Sequence, residues 1–162
     1  FACRLTGCVG TIHSPVVPEL VYPAPPQLQV APAEAVRKIS LAVSPTLPAE
    51  HSERLESHGT RQRIQNELMR QLAADGRLGD AGQITLDVRI DEFRLRTAKQ
   101  AYNWGAMSGA DMLAVTVTVR RGDETLKEFD TGTSTVLAKP KYEVDRLDRL
   151  VETVSVRIVE QL

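Results

Sequence analysis

From Gln83 to Thr97 the chain reads QITLDVRIDEFRLRT, and this stretch constrains the fold more than any other. Ile84, Leu86, Val88 and Ile90 fall on one side of a period-two pattern, with Thr85, Asp87, Arg89 and Asp91 on the other. That period belongs to a strand with one buried and one solvated face. The alternation slips at Asp91-Glu92 and resumes with Phe93 and Leu95. A single inserted residue that returns the apolar side to the core is a β-bulge. The domain must therefore contain a sheet with a dry face and a wet face.

The neighbouring segments supply the rest. VRKISLAVSP places Ile39, Leu41 and Val43 on one side of a strand that Pro45 and Pro48 stop. Ile64, Leu68 and Leu72 recur every fourth residue, which predicts an amphipathic helix from about Thr60 to Asp75, with Ser57 or Thr60 as N-cap and Gly76 just past the end. Leu113, Val115, Val117 and Val119 form one face of a strand that turns at Gly122-Asp123. The return strand carries Leu126 and then Phe129, a spacing of three that predicts a second bulge. Leu147, Leu150, Val151, Val154, Ile158 and Leu162 share one face of a closing helix, with Asp145 as its expected cap, although the β-branched residues weaken its propensity. The expected order is β-α-β-β-β-α. It folds as an α+β two-layer sandwich, a mostly antiparallel sheet with two helices on one face. The open face would carry Thr85, Asp87, Arg89, Thr116, Thr118 and Arg120.

Composition removes several function classes. With 162 residues the chain is long enough for one real core, and a net charge of -1 leaves no basic field for nucleic acid. No apolar run approaches the ~20 residues of a spanning helix. Both cysteines, Cys3 and Cys8, lie before the domain, and His13, His51 and His58 have no ligand spacing, so neither a disulfide framework nor a metal site is expected. No cofactor is implied.

The N-terminal part has its own logic. Leu5-Thr6-Gly7-Cys8 is an apolar residue, a small residue, Gly and Cys. Six of the nine prolines follow between Pro15 and Pro32, which excludes helix and central strand. Residues 9 to 34 would make an extended spacer of at most roughly 80 Å at ~3.1 Å per residue. Val16, Val17, Leu20, Val21 and Tyr22 equally allow part of it to lie on the domain surface.

Leu5 to Cys8 resembles the lipobox of bacterial lipoproteins. The resemblance implies that residues 1 to 7 are a signal-peptide remnant, that Cys8 receives the lipid, and that residues 8 to 34 carry the anchor and tether of a domain spanning 35 to 162. Arg4 stands where such signals are usually apolar. With Val9 rather than aspartate after the cysteine, the resemblance implies the periplasmic face of the outer membrane. The domain, with ITLDVRIDEFRLRT, GAMSGAD and VTVTVRRGDETLKEFDTGTSTV, is similar to small Gram-negative lipoproteins of unknown function. In element order it is also similar to the plug lipoprotein of lipopolysaccharide export, the auxiliary lipoprotein of lipid-transporting ABC systems and the periplasmic domain of the curli channel. This implies a non-enzymatic envelope component.

No nucleophile elbow, P-loop or dinucleotide fingerprint is present. Asp91-Glu92 could form an acid/base pair only if a bulge turned both to one face, and a structural bulge is the favoured reading. Asp145 and Asp148 read as capping and solvated charge. The expected binding element is the loop from Thr97 to Asp111, which holds Tyr102, Trp104 and Met107. It contacts a partner, lipid or a second copy, or else folds back and buries Trp104. The expected function is that of an accessory or assembly component acting by binding. The alternative is a small-ligand or lipid carrier with an apolar groove between sheet and helices.

Overall fold

The computed structural model describes residues 34–104, 107, 109–136 and 142–162. The lipobox-like segment with Cys8 and the proline-rich stretch lie outside the described residues. The elements are β1 (Val36–Val43), α1 (Ala49–Ser57), α2 (Thr60–Ala74), β2 (Ile84–Arg94), α3 (Ala98–Trp104), β3 (Asp111–Arg121), β4 (Glu124–Thr135) and α4 (Glu143–Glu160). The strands lie side by side in the order β1-β2-β3-β4. β1 runs parallel to β2, while the β2–β3 and β3–β4 pairs are antiparallel.

The fold is the expected α+β sandwich. Leu86, Val88 and Ile90 of β2 and Leu113, Val115 and Val117 of β3 face a helical layer. That layer supplies Leu68 and Leu72 from α2 and Leu150, Val154 and Ile158 from α4. Both expected bulges are present. The β2–β3 register shifts between Ile90 and Glu92, leaving Asp91 as the extra residue. In β4, Val119 pairs with Lys127 and Arg120 with Thr125, so Leu126 is extra. The open face is polar as expected, although Thr116 is only 8% exposed because charged neighbours cover it.

The element order needs two additions, α1 and α3. α1 has a single buried residue, Leu55, so it shows no apolar period. The expected caps also need correction. Neither Ser57 nor Thr60 caps α2; Ser57 closes α1 and Thr60 is the first residue of α2. The junction is Gly59, whose φ of 60° lets the chain break one helix and start the next within two residues. At the other end Gly76 N–H donates to Ala73 O and Arg77 N–H to Leu72 O (2.8 Å), the paired bonds of a Schellman stop. Tyr142 occupies the N-cap position of α4 without a side-chain cap bond, and Asp145 lies in the first turn, where its charge favours the helix dipole.

The start of β1 is pinned from outside the sheet. Val36 N–H donates to Arg77 O at 2.7 Å, and Gly79 N–H donates to Val36 O. Gly82 closes this corner, because a Cβ there would stand 2.1 Å from the Ala35 carbonyl oxygen. Gly82→Ala should therefore lower stability by about 1–3 kcal/mol, read as a lower urea midpoint with an unchanged slope.

Candidate functional site

β2 ends, β3 begins, β4 ends and α4 begins at one pole of the sandwich. The polar chemistry of the chain converges there. Asp111, fully buried, accepts from Arg96 through three donors: the backbone N–H (2.7 Å) and Nε (3.2 Å) on Oδ1, and Nη2 (3.1 Å) on Oδ2. Arg146 Nε, also fully buried, lies 3.1 Å from Asp111 Oδ2, and its Nη2 donates to the Arg96 carbonyl. Arg146 Nη1 has no hydrogen-bond partner among the described residues. Two guanidinium groups thus share one carboxylate in a dry interior.

A second hub lies above it. Glu143 Oε1 accepts the N–H of Ala98 at 2.7 Å, and its Oε2 accepts Arg54 Nη2 at 3.0 Å, with His58 Nε2 at 3.5 Å. One carboxylate therefore ties α1, α3 and α4 together. Thr97 and Gln100 form a reciprocal cap, Gln100 N–H donating to Thr97 Oγ1 and Thr97 N–H to Gln100 Oε1. This capping box explains why a seven-residue helix stands where a loop was expected. His51 Nδ1 meets the Phe93 carbonyl at 2.6 Å and joins α1 to the same end of β2.

This scaffold presents apolar side chains to solvent. Among the described residues the exposed large hydrophobics are Met69, Tyr102, Met107, Leu126, Val136, Tyr142 and Val144, and five of the seven (all but Met69 and Leu126) lie at this pole. Ala101 packs inward while Tyr102 is 83% exposed and Met107 87% exposed. Two of the expected binding residues, Tyr102 and Met107, thus stand on the surface. Trp104 ends α3, and its side chain lies outside the described residues. Exposed apolar side chains gathered at one pole make it the candidate interaction surface, and an amphipathic Tyr is compatible with such a surface.

Asp91 is bonded to the open face and forms no acid/base pair with Glu92. Its Oδ1 accepts Arg89 Nε at 2.6 Å and its Oδ2 accepts Thr116 Oγ1 at 2.6 Å. Partial burial pushes its pKa up, but the bonds from Arg89 and Thr116 outweigh that and hold it below the usual carboxylate value. A general acid needs the opposite displacement. Asp148 is a surface ion-pair partner of Arg63 at 2.6 Å.

No family model matches the chain, and no curated protein matches it. Solved structures do share its fold. The PelC dodecamer from Paraburkholderia phytofirmans aligns at 14% identity over 82% of this chain and 91% of that one, with a TM-score of 0.51. A Xanthomonas campestris protein of the DUF330 family aligns at 13% identity over 85% and 86%, with a TM-score of 0.55. A minor lipoprotein from Acinetobacter baumannii aligns at 16% identity over 77% and 87%, but its TM-score of 0.35 is too loose to argue from. At these identities the likeness establishes the fold.

The charge cluster predicts two outcomes. Asp111→Ala strands two buried cations and should cost about 3–5 kcal/mol, measured by chemical denaturation. For Asp91, a pKa lowered in the fold means stability that is present above the unfolded carboxylate pKa and lost as pH falls through the folded one. The stability difference between the parent and Asp91→Asn should be level near neutrality and shrink in acid. A difference that grows in acid would contradict the bonding described.

Proposed function

We propose that this chain is a lipid-anchored, non-enzymatic component of the bacterial cell envelope that works by binding through its apolar pole. The observation that carries the binding role is the concentration of Tyr102, Met107, Val136, Tyr142 and Val144 at one end of the domain. The anchor rests on Leu5-Thr6-Gly7-Cys8 and on the proline-rich stretch that follows. In this reading Cys8 carries the lipid, the outer membrane's periplasmic face is the location, and the prolines hold the domain away from the bilayer. The fold neighbour from Paraburkholderia is a dodecamer, which supports a second copy of this chain as the partner.

The binding role also agrees with the side-chain chemistry. The buried ionisable groups Arg96, Asp111 and Arg146 are spent on one another, and no described cluster gathers three potential metal ligands.

Two measurements test this proposal. Protein made from its full-length gene in a Gram-negative host should partition with membranes and show an intact mass beginning at an acylated Cys8, and Cys8→Ser should release it. A membrane-extracted protein with unmodified Cys8 would overturn the anchor. A photo-crosslinking residue at position 102 should give a discrete adduct in cells, while one at Met69, exposed on α2, should give none. Equal labelling from both positions would overturn the pole as the binding surface.

A further inference from the structure

The opposite end of the sandwich holds a groove of about 370 Å³. Its floor is apolar: Val36, Ile84 and Val119 from three strand ends, Leu126 from the β4 bulge, and Leu162 beyond α4. Val36, Ile84 and Val119 are 3%, 6% and 7% exposed, whereas Leu126 is 41% exposed. The bulge is the cause, because an extra residue leaves the regular alternation and re-aims its side chain.

Three cationic side chains line this groove, Arg77, Arg121 and Lys127, with one acidic side chain, Glu34. Arg77 Nη1 donates to Val159 O at 3.1 Å, and Lys127 Nζ donates to Gln161 O. These two cations neutralise the carbonyl end of α4. The exposed guanidinium of Arg121 makes no hydrogen bond or ion pair among the described residues. A second depression, between α2 and α4, differs in kind. It is lined by Arg63, Glu67, Arg70 and Asp148, and these charges pair with one another.

We infer that the groove binds a single-chain amphiphile with an anionic head. The tail lies on Val36, Ile84, Val119, Leu126 and Leu162, and the head meets Arg121 with Lys127 beside it. The volume is at the small end of ligand pockets, which suits one chain better than a two-chain lipid. The exposed guanidinium of Arg121 selects a negative head, and the apolar floor selects against a free inorganic anion. A fatty acid and a lysophospholipid share this chemistry. This site is separate from the apolar pole and independent of the anchor, so it can fail while the proposed function stands.

The test is calorimetric titration of the full chain with dodecanoate, lysophosphatidylglycerol and the uncharged dodecyl maltoside. At least one of the two anionic probes should bind saturably, near one per chain, and dodecyl maltoside more weakly. If dodecanoate binds and lysophosphatidylglycerol does not, the natural source is a free fatty acid; the reverse result assigns a phospholipid. Arg121→Glu should weaken the anionic probes by at least about tenfold and leave dodecyl maltoside unchanged. Leu126→Glu, at a half-exposed position, should remove binding of all three with an unchanged urea midpoint. Failure of both anionic probes to saturate would overturn the site. Equal weakening of charged and uncharged probes by Arg121→Glu would overturn head recognition. The proline-rich stretch carries QLQV at positions 27 to 30, and binding that appears only after Leu28→Ser and Val30→Ser would overturn the proposal too, by making the chain's own upstream segment the occupant.

Discussion

The buried carboxylate of Asp111 is the point from which the polar pole of this domain is organised. It begins β3, it is gripped by Arg96 as that residue leaves β2, and it faces Arg146 from α4. Strand end, strand start and helix are thereby locked at one place. Two guanidinium groups against one carboxylate is an expensive arrangement in a dry interior, and an apolar trio of similar volume would usually be as stable. What the ionic version adds is direction. Arg96 approaches with a planar fork, and Arg146 reaches past it to the Arg96 carbonyl. A hydrophobic cluster could slide, whereas this one has a single good geometry.

The sheet and the two long helices were legible in the sequence because their residues repeat. Ile84 to Ile90 alternate without exception, and the slips at Asp91 and Leu126 announced both bulges. Ile64, Leu68 and Leu72 place α2 within one residue of its observed end. α1 and α3 were not legible by periodicity, since each turns little apolar surface inward: Leu55 in one and Ala101 in the other. α3 nevertheless carried a local signal in Thr97-Ala98-Lys99-Gln100, a capping box that names a helix start without any apolar repeat.

The candidate site was half legible. Aromatic and Met residues in a long connection pointed to Tyr102 and Met107. The ionic cluster beneath them was missed, because Arg96 and Asp111 meet only once the β2–β3 pair is formed. Arg146 did leave a trace. It falls on the helical line that continues through Leu150 and Val154, where a cation on an apolar stripe calls for a buried carboxylate. The partner's identity is a tertiary fact that no local pattern encodes.

The parallel pairing of β1 with β2 has a mechanical consequence. β1 starts beside the groove and runs toward the apolar pole, so a pull applied at its first residues acts along the strand axis. Ladder hydrogen bonds lie across that axis, and such a pull loads them together in shear instead of peeling them one at a time. The corner bonds of Val36 with Arg77 and Gly79 take up the first displacement. A domain drawn between an anchor at one end and a bound partner at the other would carry tension through its most load-resistant geometry.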